Sequence, residues 1–427
     1  MKEMPLSLLQ QRFWYLCTAY PGDASPILFL TWRIRGPLDP ELWSRAVSEI
    51  VNRHESLRTG FTLRDGQPVQ VIYPGAGIDT DLIDLRHLPE EKREDEAQRL
   101  VTARTHTLLD LTNDPLVSSC FLRLDDDHHI WCFTMHHLVS DGASLRIVGR
   151  EMRTLIEGGQ LPALTIQYGD FAAAQEPDPD HLAYWVSRLE AVPPLNLPTD
   201  HPRPAAKGTN SAEIVRQMDG ELAAGIARLA KGVRGTPFMV LLAGLQALLS
   251  TESGQTDFCV GSPVAGRTRV ELEPLVGLFA NTLALRTNLS GDPTFQDLLG
   301  RTRETVIGAL RRQSVPFGQI VARLDLPKDP SRTQVFQAIF SMRNDNENKP
   351  SQLGELWVAD FPHGHPKVLH DLVVDVWRLD AQGIRVGMRY DTDLFSHNRI
   401  VVLLQHYESL LQAVIADPHT RLSMLSN

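Results

Sequence analysis

The chain has 427 residues, of which 42% are hydrophobic and 22% charged, with a net charge of −10. It is too long for one simple core, so two or three compact units, or two lobes sharing an interface, are expected of an ordinary globular composition. The acidic balance argues against nucleic acid as a partner, because a phosphate-binding surface needs clustered Lys and Arg.

In chain order, residues 26–36 (PILFLTWRIRG) are predicted to form a strand. LDPELWSRAVSEIVNRH follows as an amphipathic helix, with Leu42, Ala46, Ile50 and Val51 on one face. GQPVQVIYP reads as a second strand and EEKREDEAQRLVTARTHTLLD as a charged helix. LVSSCFLRLDDD and HHIWCFTMHH form an expected hairpin that turns at Asp125 to Asp127. ASLRIVGREMRTLIEGG is a helix that stops at a glycine pair. The proline-dense stretch that begins at EPDPDHLAYW reads as one helix and then an extended linker.

Beyond it a strand is expected near 212–218, a helix near 220–230 and the most apolar helix near 236–250. The strand DFCVGSPVAG, the segment LFANTLALRTNL, a helix near 294–313 and the strand VFQAIFSMRN come next. The strands DLVVDVWRL and IRVGMRYDT and a closing helix from about Asn398 to Ala416 end the chain. Each half therefore mixes a sheet with helices. The expected division is 1–175 for the N-terminal lobe, 176–210 for the helix and proline-rich linker, and 211–427 for the C-terminal lobe.

Targeting and metal signals are weak. MKEMPLSLLQQRFWYL lacks a signal-peptide core and cleavage site, and the apolar helix PFMVLLAGLQALLS is too short to span a membrane and holds a Gln. No membrane association and a cytoplasmic location are expected. Cys17, Cys120, Cys132 and Cys259 form no C-x-x-C pair and match no zinc spacing, and Cys132 lies in an apolar run where a thiol acts as a small hydrophobe.

The stretch TMHHLVSDGAS, Thr134 to Ser144, holds the chemistry. HIWCFTM is apolar on both alternating faces, as in a strand covered on both sides, and it ends in polar side chains just before a helix. Adjacent histidines on a strand point to opposite faces, so His136 and His137 do not suit one metal ion. No G-x-S-x-G elbow is present for a serine nucleophile. Two readings of the pair stay open on these residues alone: a satisfied core histidine beside a helix cap, or a general base for acyl transfer. An imidazole titrates near neutrality and can take a proton from an attacking amine or alcohol. The second pair, His128-His129, lies in the charged hairpin turn and reads as solvated surface.

HHLVSDG resembles the HHxxxDG signature of the condensation domains of nonribosomal peptide synthetases, relatives of chloramphenicol acetyltransferase. Six companions stand in the family's order: LSLLQQRFWYL, RHESLRTGF, YGDFA, VGLFANTLALR, QSVPFGQIV and DPSRTQVFQAIF. LNLPTDHPRP looks like the family's linker between lobes. The resemblance covers essentially the whole chain.

It implies an α/β fold of two chloramphenicol acetyltransferase-like lobes, a V-shaped pseudo-dimer with a central tunnel. It implies a monomeric acyltransferase that binds no cofactor of its own. Donor and acceptor carrier proteins would deliver substrates on 4′-phosphopantetheine arms for amide, or ester, bond formation. By that resemblance His137 is the catalytic residue and His136 is structural. Asp141 is expected to pair with an arginine, Arg58 or Arg53 first and Arg267 second. Gly142 leaves room for the arm, and Asn281 is either a residue near the tunnel or a loop-capping Asn.

The chain departs from the family pattern at Ala143, at Arg312–Gly318 and at Thr333-Gln334, which leaves the acceptor and amide versus ester open. The alternatives are a stand-alone acyltransferase that uses a coenzyme A thioester, an epimerization domain, and a silent docking domain. Epimerization domains lack the RHExLRTxF motif, and docking domains typically lose HHxxxDG. With no adenylation or carrier region in the sequence, either a free-standing enzyme or an excised domain is expected.

Overall fold

The computed structural model describes residues 1–19, 27–75, 77–105, 109–112, 114–208, 210–327, 329–343, 350–362 and 369–425. Pro26, residues 106–108 of the charged helix and Asn344 of a predicted strand lie outside them. The first part of the chain runs β1 (Lys2–Pro5), α1 (Leu8–Ala19), β2 (Ile27–Arg35), α2 (Pro40–Arg53), β3 (Thr59–Arg64), β4 (Gln67–Ile72), β5 (Thr80–Asp84) and α3 (Glu90–Thr105). It continues through β6 (Val117–Arg123), β7 (His128–His136), α4 (Gly142–Ile156) and α5 (Tyr168–Ala173). Then come α6 (Pro179–Leu189), β8 (Ser211–Met218), α7 (Gly220–Gly232), α8 (Pro237–Ser253), β9 (Asp257–Val264), β10 (Asn281–Asn288), α9 (Phe295–Leu310) and α10 (Phe317–Arg323). The last elements are β11 (Phe336–Met342), β12 (Ser351–Leu353), β13 (Leu356–Asp360), β14 (Leu372–Asp380), β15 (Gly383–Asp391) and α11 (His397–Ala416).

These elements form two compact units. One holds residues 1–177, 265–280 and 347–364; the other holds 178–264, 281–346 and 365–427. The division expected from the sequence at 175 and 211 differs in two places. Segments 265–280 and 347–364 lie within the expected C-terminal lobe, yet they pack with the N-terminal unit. The physical reason is pairing: β13 hydrogen-bonds antiparallel to β2, and Thr31 Oγ1 donates to the Phe361 carbonyl at 2.9 Å.

The sheet of the N-terminal unit has the order β12-β13-β2-β7-β6-β5, antiparallel except for the parallel β5–β6 pair. Strand β7 explains its own sequence. Trp131, Phe133 and Met135 join the core that holds Trp43, Ile50 and Ile147 from α2 and α4. Ile130 and Cys132 join the core that holds Ala97 and Val101 from α3. A strand covered on both faces has no reason to alternate apolar with polar. A smaller antiparallel sheet, β1-β4-β3, completes this unit.

The second unit's sheet has the order β10-β9-β11-β14-β15-β8, and α8 is buried from Met239 to Leu249. No single helix among the described residues is long and apolar enough to cross a membrane.

Two readings from the sequence need correction or supplement. His129 is 5% exposed, edge-on to Phe121, and His128 is half-buried with a nitrogen 2.8 Å from Arg33 Nη1. The pair is therefore not solvated surface, because β7 already begins at His128 and carries the ring of His129 into the sheet. Several elements had no readable period: α1, β1, β3, β5, β12, β13 and the short helices α5 and α10.

Candidate active site

Strand β7 ends at His136, and α4 begins at Gly142. Between them the chain makes a tight turn that is bonded to itself. The Leu138 amide donates to His136 Nδ1 at 3.1 Å, the Val139 amide to the His136 carbonyl at 3.0 Å, and Ser140 Oγ to that same carbonyl at 2.9 Å. Because Nδ1 of His136 accepts, the neutral ring carries its proton on Nε2. Burial, with the adjacent His137 as the lesser cause, lowers the His136 pKa to about 4. His136 is thus a neutral ring that shapes the turn.

His137 is the half-buried member of the pair, whereas His136 is fully buried. Its Nδ1 is buried and meets no side-chain partner among the described residues. The ring of Phe13, on α1, lies 4.9 Å from it, centroid to centroid, tilted by 32°. Burial lowers the His137 pKa below the ordinary imidazole value, and the charge of Asp141 and the backbone of His137 and Ser140 offset part of that shift. The group is neutral at neutral pH and able to accept a proton.

Asp141 caps α4 in a capping box with Ser144. Its Oδ1 accepts from the Ser144 amide at 2.8 Å and from Ser144 Oγ at 2.8 Å. Arg267 forks onto it, Nη1 to Oδ2 at 2.8 Å and Nη2 to Oδ1 at 3.1 Å. The Phe279 and Ala280 amides both donate to Oδ2 at 3.1 Å. Burial alone would raise the pKa of this carboxyl, but the Arg267 charge and these hydrogen bonds outweigh it and hold the pKa below the usual range. Asp141 is an anchor with no lone pair left to act as a base.

The arginine expected first at this position is not the one found. Arg53 Nε instead bonds Glu151 Oε1 at 3.0 Å, beside His54, and Arg58 reaches the Tyr73 carbonyl and Glu55. Both sit in the second family motif, and both serve the packing of α2 and its following turn. Arg267 holds the carboxylate because the segment 265–280 belongs to this unit. It also donates to the Leu275 carbonyl at 2.9 Å and lies 4.4 Å above the Phe279 ring.

Gly142 is exposed, and a Cβ there would meet nothing within 4 Å. Asn281 belongs to the other unit. Its Nδ2 donates to the Gln313 and Val315 carbonyls at 2.9 and 2.7 Å, and its Oδ1 accepts from the Phe317 and Thr282 amides at 3.0 and 2.9 Å. Of its two readings, the loop-capping one matches this geometry. Among the described residues no group of three or more His, Cys, Asp and Glu could hold a metal ion.

Sequence reasoning assigned no role to Gln10, Phe13, Ser144 or Tyr168. Tyr168 bonds Ser7 at 2.8 Å and donates to the Leu278 carbonyl at 2.9 Å, which ties α5 to the 265–280 segment. The motifs LSLLQQRFWYL and YGDFA carried the signal, but no local period says what these side chains touch.

The profile of the Condensation domain family matches residues 1–426. This chain belongs to the condensation-domain family. As a condensation domain it is 38% identical, over 436 residues, to a linear gramicidin synthase polypeptide of Brevibacillus parabrevis, covering 99% of the chain and 8% of that protein. It is 35% identical, over 425 residues, to phosphinothricin tripeptide synthetase PhsB of Streptomyces viridochromogenes, covering 96% of the chain and 36% of the synthetase. It therefore spans only a small part of such relatives.

Among solved structures it matches the X-domain from teicoplanin biosynthesis with a TM-score of 0.86 at 26% identity, covering 99% and 97% of the two chains. It also matches the condensation domain of the monacolin K polyketide synthase MokA with a TM-score of 0.84 at 22% identity, 99% of each chain, a likeness of fold alone. The mixed α/β class expected from the sequence, chloramphenicol acetyltransferase-like, is the class of these neighbours.

Proposed function

We propose that this condensation domain joins an acyl or aminoacyl group, presented as a thioester on one carrier protein, to the amine of an acceptor held on a second carrier. The observation that carries this reading is the His137 ring: neutral, half-buried, and set immediately after a strand buried on both faces. The acceptor nitrogen attacks the thioester carbonyl, the carbon–sulfur bond breaks, and the donor arm leaves as a thiolate. His137 Nε2 takes the proton shed by the nitrogen and returns it to the leaving sulfur, so no covalent enzyme intermediate is needed. Two arms brought together make the step effectively unimolecular, which lowers the barrier independently of proton transfer. The open space beside Gly142 gives a 4′-phosphopantetheine arm room to lie against the start of α4. An acceptor hydroxyl in place of the amine gives an ester by the same route.

The test loads donor and acceptor onto carrier proteins and follows the product by intact-protein mass spectrometry. His137→Ala should abolish most of the product while leaving the melting temperature near that of the wild type; wild-type turnover in that variant refutes the role of His137. Equal turnover with coenzyme A thioesters and no carrier would instead favour a stand-alone acyltransferase.

A second reading is a domain that only docks a partner. The high TM-score to a teicoplanin X-domain, which has also been solved in complex with OxyB, supports it. Absence of transfer from every carrier pair tried, with partner binding retained, would favour this second reading.

A further inference from the structure

Helix α1 touches the histidine turn twice, through residues three apart and so on one face of the helix. Gln10 is fully buried, and both N–H groups of its amide are used. Its Nε2 donates to the Leu138 carbonyl at 2.8 Å and to Gln70 Oε1 at 3.2 Å, and its Oε1 accepts from the Ser7 amide at 2.9 Å. One turn further on, Phe13 covers a face of the His137 ring at 4.9 Å. The first contact holds the backbone just after His137, and the second limits the ring's rotation about its own side chain. Among the described residues the Nδ1 of His137 has no side-chain partner, so no carboxylate fixes the ring as one fixes the base of a catalytic triad. The orientation comes chiefly from packing.

We infer that α1 is the positioning element for His137, with Phe13 setting the ring and Gln10 setting the turn beneath it. This rests on the proposed proton-transfer role of His137 and adds to it the source of the ring's orientation.

Phe13 acts on the ring in two opposing ways. An aromatic face stabilises an imidazolium, whereas covering the ring strips it of water and favours the neutral form. Burial is the largest cause of the downward shift at His137, and the Phe13 ring is among the groups packed on it. The charged and titratable groups that act on the ring are Asp141 at the start of α4, itself paired with Arg267, and the adjacent His136 on β7. Asp141 is spent on Arg267, and His136 is neutral. Removing the Phe13 ring should therefore move the His137 pKa upward, toward the ordinary imidazole value.

Three variants of the full chain test this: Phe13→Leu, whose smaller side chain leaves the ring face open to water, Phe13→Tyr, which keeps the ring, and Gln10→Leu. Histidines are labelled with 13C at Cε1, and the His137 resonance, one of 15, is assigned by its loss in His137→Ala. In Phe13→Leu the His137 titration should move to higher pH; in Phe13→Tyr it should stay where the wild type has it. In transfer assays Phe13→Leu should lower kcat about 10-fold at unchanged KM for both loaded carriers, as expected for a misoriented catalytic group. Its acid limb should move to higher pH, with no further loss when it is combined with His137→Ala. Gln10→Leu should lower kcat in the same way.

An unchanged His137 titration in a folded Phe13→Leu protein overturns the inference. If Phe13→Leu fails to fold, a Phe13→Tyr variant with a shifted titration and lowered kcat overturns it equally. The titration needs no turnover, so a wild-type chain without transfer activity refutes the proposed function and leaves the positioning result readable.

Discussion

Six donors lie within 3.1 Å of the two carboxylate oxygens of Asp141: two from Arg267, two from Ser144 and the amides of Phe279 and Ala280. Removing one partner of a buried ion pair leaves the other uncompensated, which costs about 3–5 kcal/mol. Arg267→Ala and Asp141→Ala should each lose stability on that scale in urea denaturation, and the double variant should lose less than the sum of the two. Arg58→Ala should cost far less, because among the described residues the Arg58 side chain meets Glu55 and a backbone carbonyl. An Asp141→Ala protein as stable as the wild type but inactive would contradict the anchoring role and point to direct chemistry. The resemblance to the condensation-domain signature made Asp141 legible as a residue paired with an arginine. It left the partner unreadable, because Arg267 is 126 positions away and Arg53 and Arg58 are much nearer.

Helix α4 and the 265–280 segment show how glycines divide between space and strain. A Cβ on Gly277 would lie 2.1 Å from the Tyr168 ring, which cannot swing aside because its hydroxyl is held by Ser7 and the Leu278 carbonyl. Gly277→Ala should therefore destabilise the protein by about 1–3 kcal/mol, seen as a lowered melting temperature. Gly142 is the opposite case. It stands at the first position of α4 with open space around it, so Gly142→Ala should keep or slightly raise the melting temperature. If the arm lies beside it, product formation should nonetheless slow; unchanged turnover would remove Gly142 from the proposed arm path. At this scale the sequence was legible where periodicity was strong, as in α2, α4 and β7. It was silent for α1, whose apolar residues follow no clear face, and for β12 and β13, which are short and find β2 only through the folded chain.

Across the whole molecule, buried neutral histidines set the acid behaviour. His129, His136 and His370 all have pKa values lowered to about 4, chiefly by burial. The unfolded chain protonates its histidines near pH 6.5, while these three resist until about pH 4. Between those values the unfolded state binds more protons, so stability rises with pH through this window and falls as the solution is acidified. For the most buried pair, His129 and His136, the loss by about pH 4 is on the order of 3 kcal/mol each. Asp141 acts in the same direction lower down. Its depressed pKa adds stability above the ordinary carboxylate range, and that stability is lost as pH falls through the folded value. Melting temperature should accordingly drop steeply from about pH 6.5 to about pH 4, and His129→Gln should flatten the slope; a flat profile in the wild type would contradict the burial of these rings.

Local order along the chain determined much of this protein. Apolar periods marked most helices and strands, the doubly apolar run before His136 announced a covered strand, and HHLVSDG with its companions in order pointed to the condensation-domain family. Only the tertiary structure decided which arginine meets Asp141, that His129 is buried, that residues 265–280 and 347–364 leave their neighbours in sequence to pack with the N-terminal unit, and that Phe13 lies on His137. The physical reason is the same in each case. A repeating pattern records which face of an element is buried, whereas the identity of what covers that face depends on contacts between residues far apart in sequence, which no local period encodes.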